Sequence, residues 1–214
     1  MSSTPAATVN ANARLASYPE VRTLHPADFD AVCAELMQMI ERDFVPTLLV
    51  GVRTGGLIVA EAMARAASNS LPVLPLTCRR RSTRLKSLTP GLRFLLSRLP
   101  PQALDRLRQA EHRLLTSRRR QASPPRVDQE EVAAIESWLR RSRRAERVVI
   151  TDDAVDSGAT LAAVLQALDG VCPPATRLRT AAITVTQAQP QVRPTYTLYS
   201  GVLCRFPWSF DALG

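Results

Sequence analysis

Between Arg147 and Leu161 the chain reads RVVITDDAVDSGATL, a stretch whose residue types and spacing could do chemistry together. Val148, Val149 and Ile150 form an apolar run suited to a strand buried on both faces. Asp152 and Asp153 then emerge at its carboxyl end, where open α/β sheets bind their ligands. Asp156 to Thr160 (DSGAT) follows as a tight turn into a helix, with Gly158 permitting close backbone approach and Ser157 and Thr160 offering hydroxyls. Amide N–H groups at a helix N-terminus, Ala159 included, together with two hydroxyl donors make a cradle for a phosphate dianion.

Two carboxylates beside such a cradle would repel a bare phosphate. Something positive or hydroxyl-rich must stand between them, and a sugar diol with a bound Mg²⁺ satisfies that demand, because Mg²⁺ takes oxygen ligands and is usually shared with substrate phosphates. The other phosphate motifs are excluded: the chain has no GxxxxGK[ST], no GxGxxG and no EF-hand spacing of its acidic residues. A second loop, Arg53-Thr54-Gly55-Gly56, follows the apolar run Thr47 to Val52. Two glycines and an arginine supply backbone amides and a cation, which suits a pyrophosphate.

The elements that must position these loops are legible from periodicity. Phe29, Val32, Cys33, Leu36, Met39 and Ile40 recur at helical spacing, and Pro26 suits a first turn, so 26–42 is predicted as an amphipathic helix. Thr47–Val52 is predicted as a buried strand, 57–67 as helix, and Leu71–Cys78 as a strand confined to a sheet edge by Pro72 and Pro75. Asp128 and Glu131 have the spacing of a capping box opening a helix to about Arg141, with Val132, Ile135, Trp138 and Leu139 inward. Strand 148–151, helix 159–168, and strands 178–185 and 195–204 complete the pattern. Apolar runs alternating with helices imply an α/β class: an open, mainly parallel sheet with helices on both faces.

The stretch VVITDDAVDSGAT resembles the signature of the type I phosphoribosyltransferases, an apolar strand, two acidic residues and a D-[ST]-G-x-T loop. LLVGVRTGGLIVAEAM (Leu48 to Met63) is similar to that family's pyrophosphate loop between strand and helix. The resemblance implies 5-phosphoribosyl 1-pyrophosphate as substrate, with Asp152 and Asp153 on the ribose hydroxyls and Mg²⁺ nearby. It places Asp156, Ser157, Gly158, Ala159 and Thr160 on the 5-phosphate. Arg53, Thr54, Gly55 and Gly56 would hold the pyrophosphate, with a cis peptide joining Arg53 to Thr54. Asp156 has two readings, a proton acceptor near the base or a helix cap. LCRFPWSFD (Leu203 to Asp211) is similar to the ending of 6-oxopurine members, which makes Leu203, Phe206 and Trp208 candidates to stack on a heterocyclic base; a plug packing on the core is the alternative. Those members place a lysine where this chain has Thr186 and Gln187, and the only lysine here is Lys86. A homodimer is expected from the family alone.

The net charge of +9 is local. Residues 79–144 hold 18 basic and 6 acidic side chains, net +12, which leaves −3 for all the rest. The segment 79–126, with Arg79–Lys86, two Pro pairs, leucines at helical spacing and a solvent-facing His112, is read as a helical basic insertion into a single domain spanning 18–214. A hood over the acceptor, a dimer or partner surface, or a nucleic-acid platform would each use it, the last not favoured. That last option defines an alternative function, a regulator that senses nucleotide and binds nucleic acid. Residues 1–17 lack periodicity and read as a disordered tail. No apolar run approaches the ~20 residues of a membrane span, and Met1–Ser17 lacks the pattern of a secretion signal, so a soluble cytoplasmic protein is expected. Cys33, Cys78, Cys172 and Cys204 form no CxxC pair and are expected to be reduced packing residues.

Overall fold

The computed structural model describes residues 20–79, 105–106, 109–110, 125–142 and 146–209. The tail 1–17, His112 and nearly all of the insertion between Arg79 and Arg126 lie outside the described residues. In chain order the elements are β1 (Glu20–Thr23), α1 (Pro26–Glu41), β2 (Leu48–Val52), α2 (Gly55–Ala66), β3 (Val73–Leu76), β4 (Cys78–Arg79), β5 (Arg126–Val127), α3 (Gln129–Arg141), β6 (Arg147–Val155), α4 (Ala159–Asp169), β7 (Arg177–Val185), β8 (Tyr196–Ser200) and β9 (Val202–Arg205).

Five strands form the central sheet in the order β3-β2-β6-β7-β8, and every pairing in it is parallel. Parallel strands need crossover connections, and the helices that supply them cover both faces. On one side α1 and α2 pack Phe29, Leu36, Ile40, Val59 and Met63 against Leu49, Val149, Ala181 and Ile183. On the other, α3 and α4 pack Val132, Ile135, Leu139, Leu161, Val164 and Leu168 against Leu48, Val50, Val148 and Ile150. Successive β2 and β6 side chains alternate between these two cores, so both strands are apolar at nearly every position. Within α1 the buried methionine is Met37, at 0% exposure, while Met39 is only partly buried, because the core-facing stripe runs 29, 32, 33, 36, 37, 40.

The chain leaves β2 toward β3 on one side and leaves β6 toward β7 on the other. Adjacent strands whose connections depart in opposite directions open a crevice between their carboxyl ends, the topological switch point at which such sheets bind ligands. Both loops singled out by the sequence, 53–56 and 152–160, lie there.

Three expectations are corrected. Residues 195–204 are two strands, because Gly201 takes φ +74° and turns the chain; its N–H donates to Val185 O at 2.7 Å. After that turn β9 leaves the main sheet and pairs in parallel with β1, a strand absent from the sequence reading, with Thr23 opposite Arg205. Strand β6 runs on to Val155, so Asp152 and Asp153 belong to the strand rather than to a loop. The capping box is half formed: Asp128 Oδ1 accepts from the Glu130 and Glu131 amides, but the Glu131 carboxylate is used elsewhere. The insertion is closed at its root by the antiparallel pair Cys78–Val127 and Arg79–Arg126.

Candidate active site

The site is built where α2 begins against the end of β6. A Cβ on Gly56 would overlap Thr151 O and stand 2.7 Å from Asp152 Cα, and one on Gly55 would overlap the Asp153 carboxylate. Only residues without a side chain allow the helix so near the strand. The first helical turn of the RTGG loop therefore rests on the acidic pair, and the two motifs form one surface. The peptide joining Arg53 to Thr54 is cis, the bond at which the resemblance placed one.

Asp152 is 9% exposed and Asp153 half-buried. Asp152 Oδ1 accepts from the Asp153 amide at 3.0 Å, and Asp153 Oδ1 accepts from the Ala154 amide at 2.9 Å. The indole Nε1–H of Trp208 donates to Asp153 Oδ2 at 3.3 Å. All the oxygens gathered here are hard donors. Among the described residues no group of three or more His, Cys, Asp or Glu is poised to enclose an ion. Two adjacent carboxylates supply the oxygen ligands that a Mg²⁺ shared with substrate phosphates takes, so the residues present fit that ion.

The phosphate turn is held from its far side. Gly158, the N-cap of α4, has φ +75°, a region costly to a residue with a Cβ. A Cβ there would also stand 2.5 Å from Val192 N and 2.6 Å from Val192 O. Gln191 N–H donates to Ser157 O at 2.7 Å, and Thr186 N–H to Val155 O at 2.9 Å. The segment 186–192 is thus laid along 155–158. Ser157 and Ala159 are half-buried, and Thr160 is buried at 6% exposure. The N-cap being Gly158, Asp156 lies outside the cap position, and its Oδ1 accepts from the Thr186 hydroxyl at 2.7 Å.

Arg53 and Thr54 are exposed. Arg53 N–H donates to Leu76 O at 3.0 Å, and its Nε pairs with Glu131 Oε1 at 3.3 Å. The other Glu131 oxygen accepts from the Thr77 amide, and Thr77 O accepts from the Asp128 amide at 2.9 Å. Sequence reasoning assigned Glu131 to local capping and so missed it here; no short-range pattern announces a contact 78 positions away.

The C-terminal candidates divide. Leu203 lies in β9 opposite Val21 at 5% exposure, and Phe206 is 3% exposed within the α1–α2 core. Trp208 stacks on Phe206 with centroids 5.0 Å apart and planes at 9°, and meets Phe29 edge-on at 5.1 Å. Arg205 is buried at 2% exposure; it donates to Thr23 Oγ1 and to Asp105 Oδ1, each at 2.8 Å. Asp105 belongs to the insertion, which is thereby tied to β9. None of the four cysteines forms a disulfide. Burial pushes the Cys33 thiol up to about 12, Asp30 adding to the rise, and the Cys172 thiol to about 11.

The sequence matches no protein-family model and no curated protein. The fold does find relatives. A purine phosphoribosyltransferase from Pyrococcus horikoshii superposes at TM-score 0.55 with 16% identity, over 89% of this chain and 94% of that one. The xanthine-guanine-hypoxanthine phosphoribosyltransferase of Helicobacter pylori gives 0.54 and 15%, over 90% and 95%. A hypothetical protein from Neisseria gonorrhoeae with bound ppGpp gives 0.57 and 13%, over 89% of each chain. The chain has the fold of the type I phosphoribosyltransferases. No helix among the described residues is long and apolar enough to cross a membrane.

Proposed function

We propose that the chain is a phosphoribosyltransferase, carrying the 5-phosphoribosyl group of 5-phosphoribosyl 1-pyrophosphate to a ring nitrogen of a purine-like heterocycle and releasing pyrophosphate. The observation that carries this reading is the seating of Gly55 and Gly56 on Asp153 and Asp152, which makes the RTGG loop, the acidic pair and the DSGAT turn one continuous site.

In the reaction the bond from ribose C1 to the pyrophosphate oxygen breaks with its electron pair on oxygen, and a bond from C1 to the acceptor nitrogen forms. The Arg53 guanidinium and the 54–56 amides face the charge that grows on the leaving group, a preorganised stabilisation. Asp152 and Asp153 hold the ribose hydroxyls, and the amides of 157–160 hold the 5-phosphate, so that C1 is presented to the acceptor. Asp156, whose Oδ1 accepts from the Thr186 hydroxyl, takes the proton that the ring nitrogen gives up. Asp152 and Asp153 would also hold Mg²⁺ entering with the substrate, which supplies charge neutralisation at the diphosphate.

The test is calorimetric titration with 5-phosphoribosyl 1-pyrophosphate and Mg²⁺, followed by a pyrophosphate-release assay across a panel of purine bases. Binding that is lost in Asp152→Asn and Asp153→Asn, with release stimulated by at least one base, is the expected result. Absence of binding in the wild-type chain defeats the reading. A second reading, a nucleotide sensor that keeps the site but not the turnover, is favoured by the ppGpp on the Neisseria protein. Under it, ppGpp binds while no base stimulates pyrophosphate release.

A further inference from the structure

The acidic pair is held by more than its own strand. Both oxygens of Asp153 carry a donor: Oδ1 takes the Ala154 amide at 2.9 Å, and Oδ2 takes the Trp208 indole N–H at 3.3 Å. Gly55 closes on the same carboxylate from the helix side, leaving no room for a Cβ. Trp208 is in turn fixed in three ways. Its ring lies nearly parallel on Phe206, it makes a T-shaped contact with Phe29 of α1 at 88°, and the turn that carries it is closed by Ser209 N–H on Phe206 O at 2.8 Å and by Phe206 N–H on Ser209 Oγ at 3.0 Å. One face of the indole is therefore spent on Phe206, itself buried at 3% exposure. What the indole offers the site is its N–H.

We infer that Trp208 is the positioning residue of Asp153, orienting the carboxylate that takes the ribose hydroxyls, and serves the sugar-phosphate half of the site rather than stacking on the acceptor. The inference rests on the phosphoribosyltransferase reading for the identity of the ligand, but the contact itself can be tested without it. An indole N–H is a donor only, so its pairing with a carboxylate oxygen matches the chemistry of both groups. The rigid aromatic stack holds the donor in place before substrate arrives, and preorganisation of that kind is what makes a modest hydrogen bond useful at a reacting centre.

Two measurements decide it. Trp208→Phe keeps the stack on Phe206 and Phe29 and removes only the donor. It should weaken binding of 5-phosphoribosyl 1-pyrophosphate with Mg²⁺ about fivefold, the cost of losing one hydrogen bond to a charged group that stays partly wet, and leave the KM of hypoxanthine, used as acceptor probe, within error. Unchanged donor binding, or a rise confined to the hypoxanthine KM, overturns the inference. The second measurement needs no ligand. In Trp138→Phe, Trp208 is the only indole, and adding Asp153→Asn should shift its emission. A spectrum indifferent to Asp153 refutes the contact. A wild-type chain that binds no 5-phosphoribosyl 1-pyrophosphate would sink the broader reading, while the emission shift would still report on the contact.

Discussion

Replacing Gly55 and Gly56 with alanine, one at a time, should separate stability from binding, because the two added methyl groups meet different kinds of atom. At Gly55 the Cβ overlaps the end of the Asp153 side chain, with Oδ1 at 2.9 Å and the other carboxylate atoms nearer. A half-buried carboxylate can swing away, retreating by roughly 1.5 Å to restore ordinary contact distances. The helix gains up to about 1 kcal/mol from Gly→Ala at a helical position, which offsets the lost Trp208 and Gly55 contacts, so the melting temperature should stay within about 3 °C. Binding should not survive so well. On the proposed reading Asp153 orients the reacting sugar, and a displacement of such a group by even about 1 Å can cost on the order of a hundredfold.

At Gly56 the neighbours are backbone, Thr151 O and Asp152 Cα, the latter at 2.7 Å, and backbone in a central strand cannot swing. Helix α2 must lift off β6, an overpacking that costs about 1–3 kcal/mol and lowers the melting temperature by roughly 3–10 °C in a chain of this size. Thermal denaturation followed by circular dichroism and calorimetric titration with 5-phosphoribosyl 1-pyrophosphate read the two effects separately. If Gly55→Ala binds as tightly as wild type, or if both variants melt alike, the packing of α2 on the acidic pair is not what these contacts imply.

Two further outcomes follow from buried charge and buried thiol. Asp105→Ala removes the carboxylate paired with Arg205, a guanidinium only 2% exposed that keeps Thr23 as a partner, and should cost about 1–3 kcal/mol by chemical denaturation; Asp105→Asn, which keeps an acceptor oxygen, should cost less, and equal losses would refute the ion pairing. Burial raises the Cys33 thiol to about 12, so the unfolded chain loses that proton first as pH climbs; the stability it contributes is whole below about 9 and falls between 9 and 12. Cys33→Ala should flatten that alkaline decline, and an unchanged slope in a pH series of urea melts would count against it.

The sheet and both loops were legible because each is encoded over short range. A run of apolar residues buried on both faces reads as a strand wherever it falls, and the RTGG and DSGAT loops each lie within a few consecutive residues. What escaped is encoded at long range. Strand β1 is four residues with alternate exposure, EVRT, and its partner β9 lies about 180 positions away, so neither period nor composition marks it. Residues 195–204 read as one strand because nothing in their apolar content shows that Gly201 turns with positive φ. Glu131 stands at capping-box spacing, but the Thr77 amide and Arg53 compete for its carboxylate and win. Trp208 offered an aromatic face to the sequence reading; the structure uses its edge.

The long-range contacts have a common destination. The parallel sheet fixes where the backbone of the site lies, yet three of its charged groups are met by side chains from other elements: Asp153 by Trp208, Asp156 by Thr186, Arg53 by Glu131. The Arg53–Glu131 pair is exposed, with side chains 46% and 26% accessible, and by itself adds little to stability. Its value is directional. Glu131 is already pinned by the Thr77 amide, so pairing costs little further side-chain entropy, and it engages the guanidinium through Nε. Because Thr77 and Asp128 flank the root of the insertion, the same contact links the cation of the RTGG loop to the segment whose far part reaches Arg205 through Asp105. The insertion is thus joined to the RTGG loop at its root and to the strand leading to Trp208 at Asp105, and a change in either junction reaches a group of the proposed site.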